Sequence, residues 1–269
     1  MRILTKSAVA LAALMVMAPI ASATTIQITI TNNAPAGAVF LTPVWVGLHD
    51  GSFDSYDNGA PASAGIEAIA EDGNTVPLSN EFNAPGGVQG VVGGAPIAPG
   101  QTVTLTLDVA SDGSNNYLSY ASMVLPSNDY FVANGNPLAH SIESVLNGSA
   151  TELSFNIGMP GTVNDAGTEI NDFLTSAGNG LFGFPGGQSG PNQGADENGV
   201  ITNVLGQDPF GNFLNLPPGF DASLFNFNDD FWSSGIATIT VTAVPVPAAL
   251  PLFAGALGML GFMRRRATR

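Results

Sequence analysis

Tyr117-Leu-Ser-Tyr-Ala-Ser-Met-Val-Leu125 is apolar or small at odd and even positions alike, and it runs directly into Pro126-Ser-Asn-Asp129. A short apolar run of this kind, closed by turn residues, fits a strand buried on both faces. The stretch is therefore expected to be a central strand ending in a Pro-Ser-Asn turn that presents one carboxylate, Asp129. Outward from it, strand signals recur in both directions. Val103, Leu105, Leu107 and Val109 alternate with Thr104, Thr106 and Asp108, the cleanest period of two in the chain. Ile26, Ile28 and Ile30 alternate with Gln27, Thr29 and Thr31; Leu153, Phe155 and Ile157 form another set, and Ile239 and Val241 alternate with Thr238, Thr240 and Thr242. Val39 to Leu48 reads as a denser strand interrupted by Pro43, as at an edge or bulge. Between these runs, Ser63 can cap a short helix bearing Ile66 and Ile69, with Gly73 ending it. Residues 178–230, rich in Gly, Asn, Pro and Phe, are expected to be long loops with a few short strands. No internal repeat stands out. Many short strands, glycine and proline turns and little helix indicate an all-β antiparallel sandwich.

The 269 residues include 33 Gly and 19 Pro but no Cys, so disulfides and thiolate metal sites are excluded. All six basic residues lie near the termini: Arg2, Lys6, Arg264, Arg265, Arg266 and Arg269. All 21 acidic residues lie between Asp50 and Asp230. A body without a single Lys or Arg cannot neutralise phosphates, so no nucleic-acid partner is expected. Buried carboxylates there must use backbone N–H groups, hydroxyls, water or a bound cation.

One such grouping stands out. Asn164-Asp-Ala-Gly-Thr-Glu169 carries two carboxylates four residues apart around Gly167, which permits a tight turn. If the fold brings this loop to Asp129, three acids converge and repel one another unless a proton or metal intervenes. Oxygen ligands on loops suit calcium better than a transition metal. The alternative is that these acids merely cap turns by accepting backbone N–H bonds. Asp54-Ser-Tyr-Asp-Asn-Gly59 fails the EF-hand template at Tyr56 and Gly65 and reads as a turn. Asp229 and Asp230 read as a solvated loop beside Trp232. His49 and His140, the two histidines, lack any partner motif for catalysis. His49 reads as a structural residue, and Trp45 and Trp232 as core.

The ends carry address signals. Arg2 and Lys6, the apolar run from Ala8 to Ile20, and Ala21-Ser-Ala23 together read as a secretory signal peptide over residues 1–23. At the other end, Val244-Pro-Val-Pro-Ala248 leads into the apolar Leu250–Met263 run and then Arg264-Arg-Arg266. This tail resembles the PEP-CTERM class of bacterial sorting signals. That resemblance implies a hydrophobic helix held at the inner membrane and then processed by an exosortase-type enzyme, with export to the cell surface or beyond. The apolar run is shorter than the roughly 20 residues that span a bilayer comfortably. A plain anchor that is never cut is the other reading. The chain thus divides into residues 1–23, a body over residues 24–243, and a tail over residues 244–269.

The body resembles the spondin domain of F-spondin and mindin. The resemblance is carried by Thr42-Pro-Val-Trp-Val-Gly-Leu-His49-Asp-Gly-Ser-Phe53, Gly65-Ile-Glu-Ala-Ile-Ala-Glu-Asp-Gly73, Ser122-Met-Val-Leu-Pro-Ser-Asn-Asp129 and Asp165-Ala-Gly-Thr-Glu169, in that order. It implies an eight-stranded antiparallel sandwich related to C2 domains, and a calcium ion held by Asp129, Asp165 and Glu169. Glu169 stands where the animal domains carry Asp, one methylene shorter. The expected function is an exported, non-catalytic calcium-binding module that engages an extracellular polymer or a surface protein. A secreted polysaccharide hydrolase using Asp129 and Asp165 as paired carboxylates is the alternative.

Overall fold

The computed structural model describes residues 23–171, 179–184, 187, 193–205, 216–227 and 233–245. Period-two alternation makes β1 (Ala23–Asn32), which buries Ile26, Ile28 and Ile30 completely. β2 (Phe40–Leu41) and β3 (Val44–His49) come as two pieces rather than one strand. Pro43, which has no N–H to give a ladder, falls in the break. Next in order are α1 (Ala64–Asp72), α2 (Val76–Glu81), β4 (Val88–Val92) and β5 (Thr102–Ala110). β6 (Tyr117–Leu125) and β7 (Tyr130–Ala133) follow, then α3 (Glu143–Leu146), β8 (Glu152–Ile157) and β9 (Val163–Asp165). Last are α4 (Asn179–Phe182), β10 (Thr202–Asn203), a 3-10 turn at Ala222–Phe225 and β11 (Ala237–Ala243).

Two antiparallel sheets result. One has the order β5-β1-β11-β8; the other runs β10-β9-β7-β6-β3-β4, with β2 also paired to β6. In the first sheet Ile28 sits opposite Val241 on one side and Leu105 on the other. Ile26, Ile28, Ile30, Ile239 and Val241 face Val46, Leu48, Leu118, Tyr120, Val124 and Val132 across the core. Each fully buried Ile or Val of this set contributes about 1.5–3 kcal/mol. β5 has the cleanest alternation in the sequence, yet Val103, Leu105 and Leu107 are only partly buried, because β5 is an edge strand.

The large sheet is covered on its second face as well. Ile66, Ile69 and Ala70 of α1 pack with Leu78 and Phe53 against Trp45, Ala121, Phe131 and Ala133. This second core explains why β6 is apolar on both faces and sits centrally, between β7 and β3. The α1 caps are local. Ser63 Oγ accepts the Ile66 N–H at 3.2 Å, and Gly73 takes the left-handed conformation at φ 65° while its N–H reaches Ile69 O at 2.9 Å. Ser63 also donates to Glu81 at 2.8 Å, tying α1 to α2.

Among the described residues there are eleven strands, against the eight that the resemblance implied. Pro43 divides one strand, and β9 and β10 are three and two residues long. β1 begins at Ala23 and β11 ends at Ala243. The expected signal segment, apart from Ala23, and the apolar tail from Val246 onward lie outside the described residues, as do Asp229, Asp230 and Trp232. Among the described residues no helix is long and apolar enough to cross a membrane.

Candidate metal centre

β6 ends at Leu125, and a turn with a cis Leu125–Pro126 bond carries the chain back into β7. Ser127 Oγ accepts the Tyr130 N–H at 2.9 Å and donates to Val124 O at 2.6 Å, which fixes this turn. Asp129 is thereby set at the start of β7, fully buried. β9 pairs with β7 so that Asp165 lies opposite Tyr130, next to Asp129. The Ala166 N–H donates to Asp129 O at 3.0 Å, locking the two segments together.

After β9 the chain turns at Gly167, which has φ 65°. A side chain there would meet Val200 O at 2.6 Å and Val200 N at 2.8 Å, so glycine is required both by conformation and by the close approach of residues 197–200. That approach is a short ladder: Glu197 N–H donates to Thr168 O at 2.9 Å, Gly199 N–H to Gly167 O at 2.7 Å, and Ile170 N–H to Ala195 O at 2.8 Å. It delivers a carboxylate from far along the sequence.

Asp129, Asp165 and Glu197 each present a carboxylate oxygen, and these atoms all lie within 4.8 Å of one another. Asp129 and Asp165 are buried; Glu197 is exposed. Asp165 Oδ1 accepts the Gly167 N–H at 2.7 Å, and its Oδ2 accepts Asn171 Nδ2 at 2.6 Å. Asp129 Oδ2 accepts the N–H groups of Thr168 at 3.0 Å and Glu169 at 3.1 Å. Asp129 Oδ1 is buried and has no partner among the described residues; the same holds for Oδ1 of its neighbour Asn128. Burial, then the Asp165 charge, pushes the Asp129 carboxyl up to about 8 despite the two N–H bonds. Burial and Asp165 raise Glu197 as well. The phenol of Tyr130 is held above its usual range by burial and by the charges of Asp165, Asp129 and Glu197. The site is rich in anionic oxygen and short of positive charge.

The expected trio divides. Asp129 and Asp165, on the two expected segments, come together. Glu169 contributes its backbone N–H to Asp129, while its carboxylate Oε1 accepts the Gly194 N–H at 3.0 Å. A side chain at position 194 would collide with that carboxylate, so Gly194 accommodates it. The longer Glu side chain reaches this loop from a position that bridges to Asp196. Glu197 was missed by sequence reasoning. It lies in Ala195-Asp-Glu-Asn-Gly199, a segment without periodicity whose approach depends on the Gly167 turn.

The remaining sequence candidates have structural places. His49 is fully buried; its Nδ1 accepts the Gly51 N–H at 3.0 Å, so the proton sits on Nε2, which lies 2.9 Å from Ser119 Oγ. Burial lowers its pKa, keeping it neutral. Trp45 is fully buried and donates to Gln89 at 2.9 Å. Asp54 to Gly59 ends in a turn, with the Ala60 N–H bonded to Asp57 O at 3.1 Å.

The family model Spondin_N matches residues 31–136, which run from the end of β1 through β7 and include Asp129. That match supports a spondin-type domain in this part of the chain. Asp165, Glu169 and Glu197 lie beyond it. No curated protein matches the chain.

Proposed function

We propose that the chain is an exported, non-catalytic module stabilised by a calcium ion held by Asp129 and Asp165, with Glu197 as the third acid. The supporting observation is Asp129 Oδ1, a buried carboxylate oxygen that accepts no N–H or O–H of the other described residues' backbone or neutral side chains, with two further carboxylates beside it. A buried anion left in that position is costly, and a hard divalent cation removes the cost. No Lys or Arg exists between residues 7 and 263 to do so instead. Glu169 acts through its backbone N–H and by holding the Gly194 loop. Residues 1–23 direct export, and the Val244–Arg269 tail is the inner-membrane sorting signal for an exosortase-type enzyme. The processed body then works at the cell surface or in the matrix, on a surface protein or polymer.

A hydrolase would want one of two paired carboxylates with a raised pKa, and Asp129 has one. Asp129 is fully buried and Asp165 is 5 % exposed, so a glycosidic oxygen has no approach to either. Calorimetric titration of calcium into the metal-free full chain tests the reading. One saturable site, lost in Asp129→Asn and weakened in Glu197→Gln, is expected; heats indistinguishable from dilution would overturn it.

A further inference from the structure

A cavity of about 240 Å³ opens at the opposite end of the β7–β9 ladder from the acids. It is lined by Tyr56, Tyr120, Asn136, His140, Asn156 and Thr162, among others, and none of its lining residues is charged. Asp129 and the cavity residue Ala133 are four positions apart along β7, so the two sites are separated by roughly 13 Å at 3.3 Å per residue.

Several polar groups here are unused. Tyr120 is 3 % exposed with its ring packed in the core between the sheets, and it also lines the cavity, with no hydrogen bond from its hydroxyl to a described residue. That polar end is therefore available to a hydrogen-bonding ligand in the cavity. His140 is fixed by its neighbours, with its ring 5.6 Å from Tyr120 and 4.6 Å from Phe155. Its ring nitrogens also lack partners among the described residues. Burial lowers its pKa, so the imidazole is neutral and offers one donor and one acceptor. Asn136 and Asn156 each spend their carbonyl oxygen, on the Leu138 N–H and the Thr238 hydroxyl, and keep their amide N–H donors. Tyr56 differs: its hydroxyl already accepts Asn164 Nδ2 at 2.9 Å, so it serves as wall.

The chemistry of this lining selects its occupant. An anion meets no cation and faces an acidic body; a cation meets no carboxylate; a hydrocarbon would leave the hydroxyl, imidazole and amides unpaired. A compact neutral molecule with many hydroxyls and an apolar ring face satisfies all of them. At about 30 Å³ per water, the cavity holds roughly eight waters or a single sugar ring, and it lies below the roughly 300 Å³ where drug-sized sites begin. We infer that this cavity is a binding site for one neutral hexopyranose unit, with Tyr120 and His140 as its polar anchors. It stands independently of the calcium reading.

Saturation-transfer NMR on the full chain, with methyl β-D-glucopyranoside and methyl α-D-mannopyranoside as probes, tests this. Saturable transfer is expected from at least one probe, equal in calcium and in chelator. Tyr120→Phe, which removes only the hydroxyl, should weaken it by about tenfold, the worth of one good hydrogen bond. His140→Phe, which keeps a ring but removes both nitrogens, should weaken it as well. Absence of saturable transfer from either probe overturns the inference, and so does transfer that both variants leave intact. Transfer seen only with calcium would move the sugar to the acidic end and equally overturn it.

Discussion

Replacing Asp129 with Asn should change stability by an amount that depends on calcium. In the native chain without metal, Asp129 keeps its proton up to about pH 8, whereas the unfolded chain releases it near 3.8. At about 1.4 kcal/mol per pH unit, this costs the metal-free fold up to about 5 kcal/mol near pH 7.5. Asn has no proton to hold. Its side-chain oxygen can still accept the Thr168 and Glu169 N–H groups, and its NH2 can donate to Asp165. The metal-free variant should therefore melt above the metal-free parent. Calcium narrows the gap: at a hundred times Kd it adds about 2.7 kcal/mol to the parent. At about 2–4 °C per kcal/mol for a domain of this size, that is a rise of roughly 5–11 °C. The variant should show almost none of it. Differential scanning calorimetry of both proteins, in calcium and after exhaustive dialysis against chelator, reads all four values. If Asn lowers Tm by the same amount in both buffers, Asp129 is a turn cap and the electrostatic reasoning fails.

Other outcomes follow from the same geometry. Because the native state retains a proton that the unfolded state loses, the metal-free parent should lose stability as pH rises from about 4 to 8, while Asp129→Asn stays nearly flat; a Tm series across that range checks the sign. Glu169→Gln should lower Tm by a few degrees in calcium and in chelator alike, since its carboxylate holds the Gly194 N–H; an effect confined to calcium would return Glu169 to the metal. Gly167→Ala should weaken calcium binding and lower Tm, because a left-handed turn pressed against Val200 backbone has no room for a methyl; calcium titration measures the first effect and calorimetry the second. Ile28→Ala, in a core strand flanked by Val241 and Leu105, should cost about 2–5 kcal/mol by denaturant unfolding, with calcium affinity unchanged in the folded protein.

How far the sequence could be read depended on where each residue gets its neighbours. β1, β5, β8 and β11 are legible because a strand buried on one face alternates, and β6 is legible because it does not. Ser63 and Gly73 marked the ends of α1, since capping is a local affair between a side chain and the next turn of backbone. β7, β9 and β10 are two to four residues long, too short for a period of two to register, and α2 opens on Val76-Pro77 without an apolar stripe. At the site, Asp129 and Asp165 were legible from turn chemistry and from their shared resemblance. Glu197 was not, because it reaches them through backbone bonds between residues 167–170 and 195–199, and backbone pairing leaves little trace in side-chain pattern. The place of Tyr120 on the cavity wall was equally hidden; in sequence it is one more residue of an apolar strand.

The central claim is that a divalent ion sits among three carboxylates gathered from three segments. The most direct measurement is a crystal structure grown in calcium, with anomalous difference density used to place the ion. The account predicts one peak bounded by the carboxylates of Asp129, Asp165 and Glu197, with Asp129 Oδ1 among the contacting atoms. Anomalous density absent from that position, with Asp129 Oδ1 bonded to water or to a proton shared with Asp165, would contradict it.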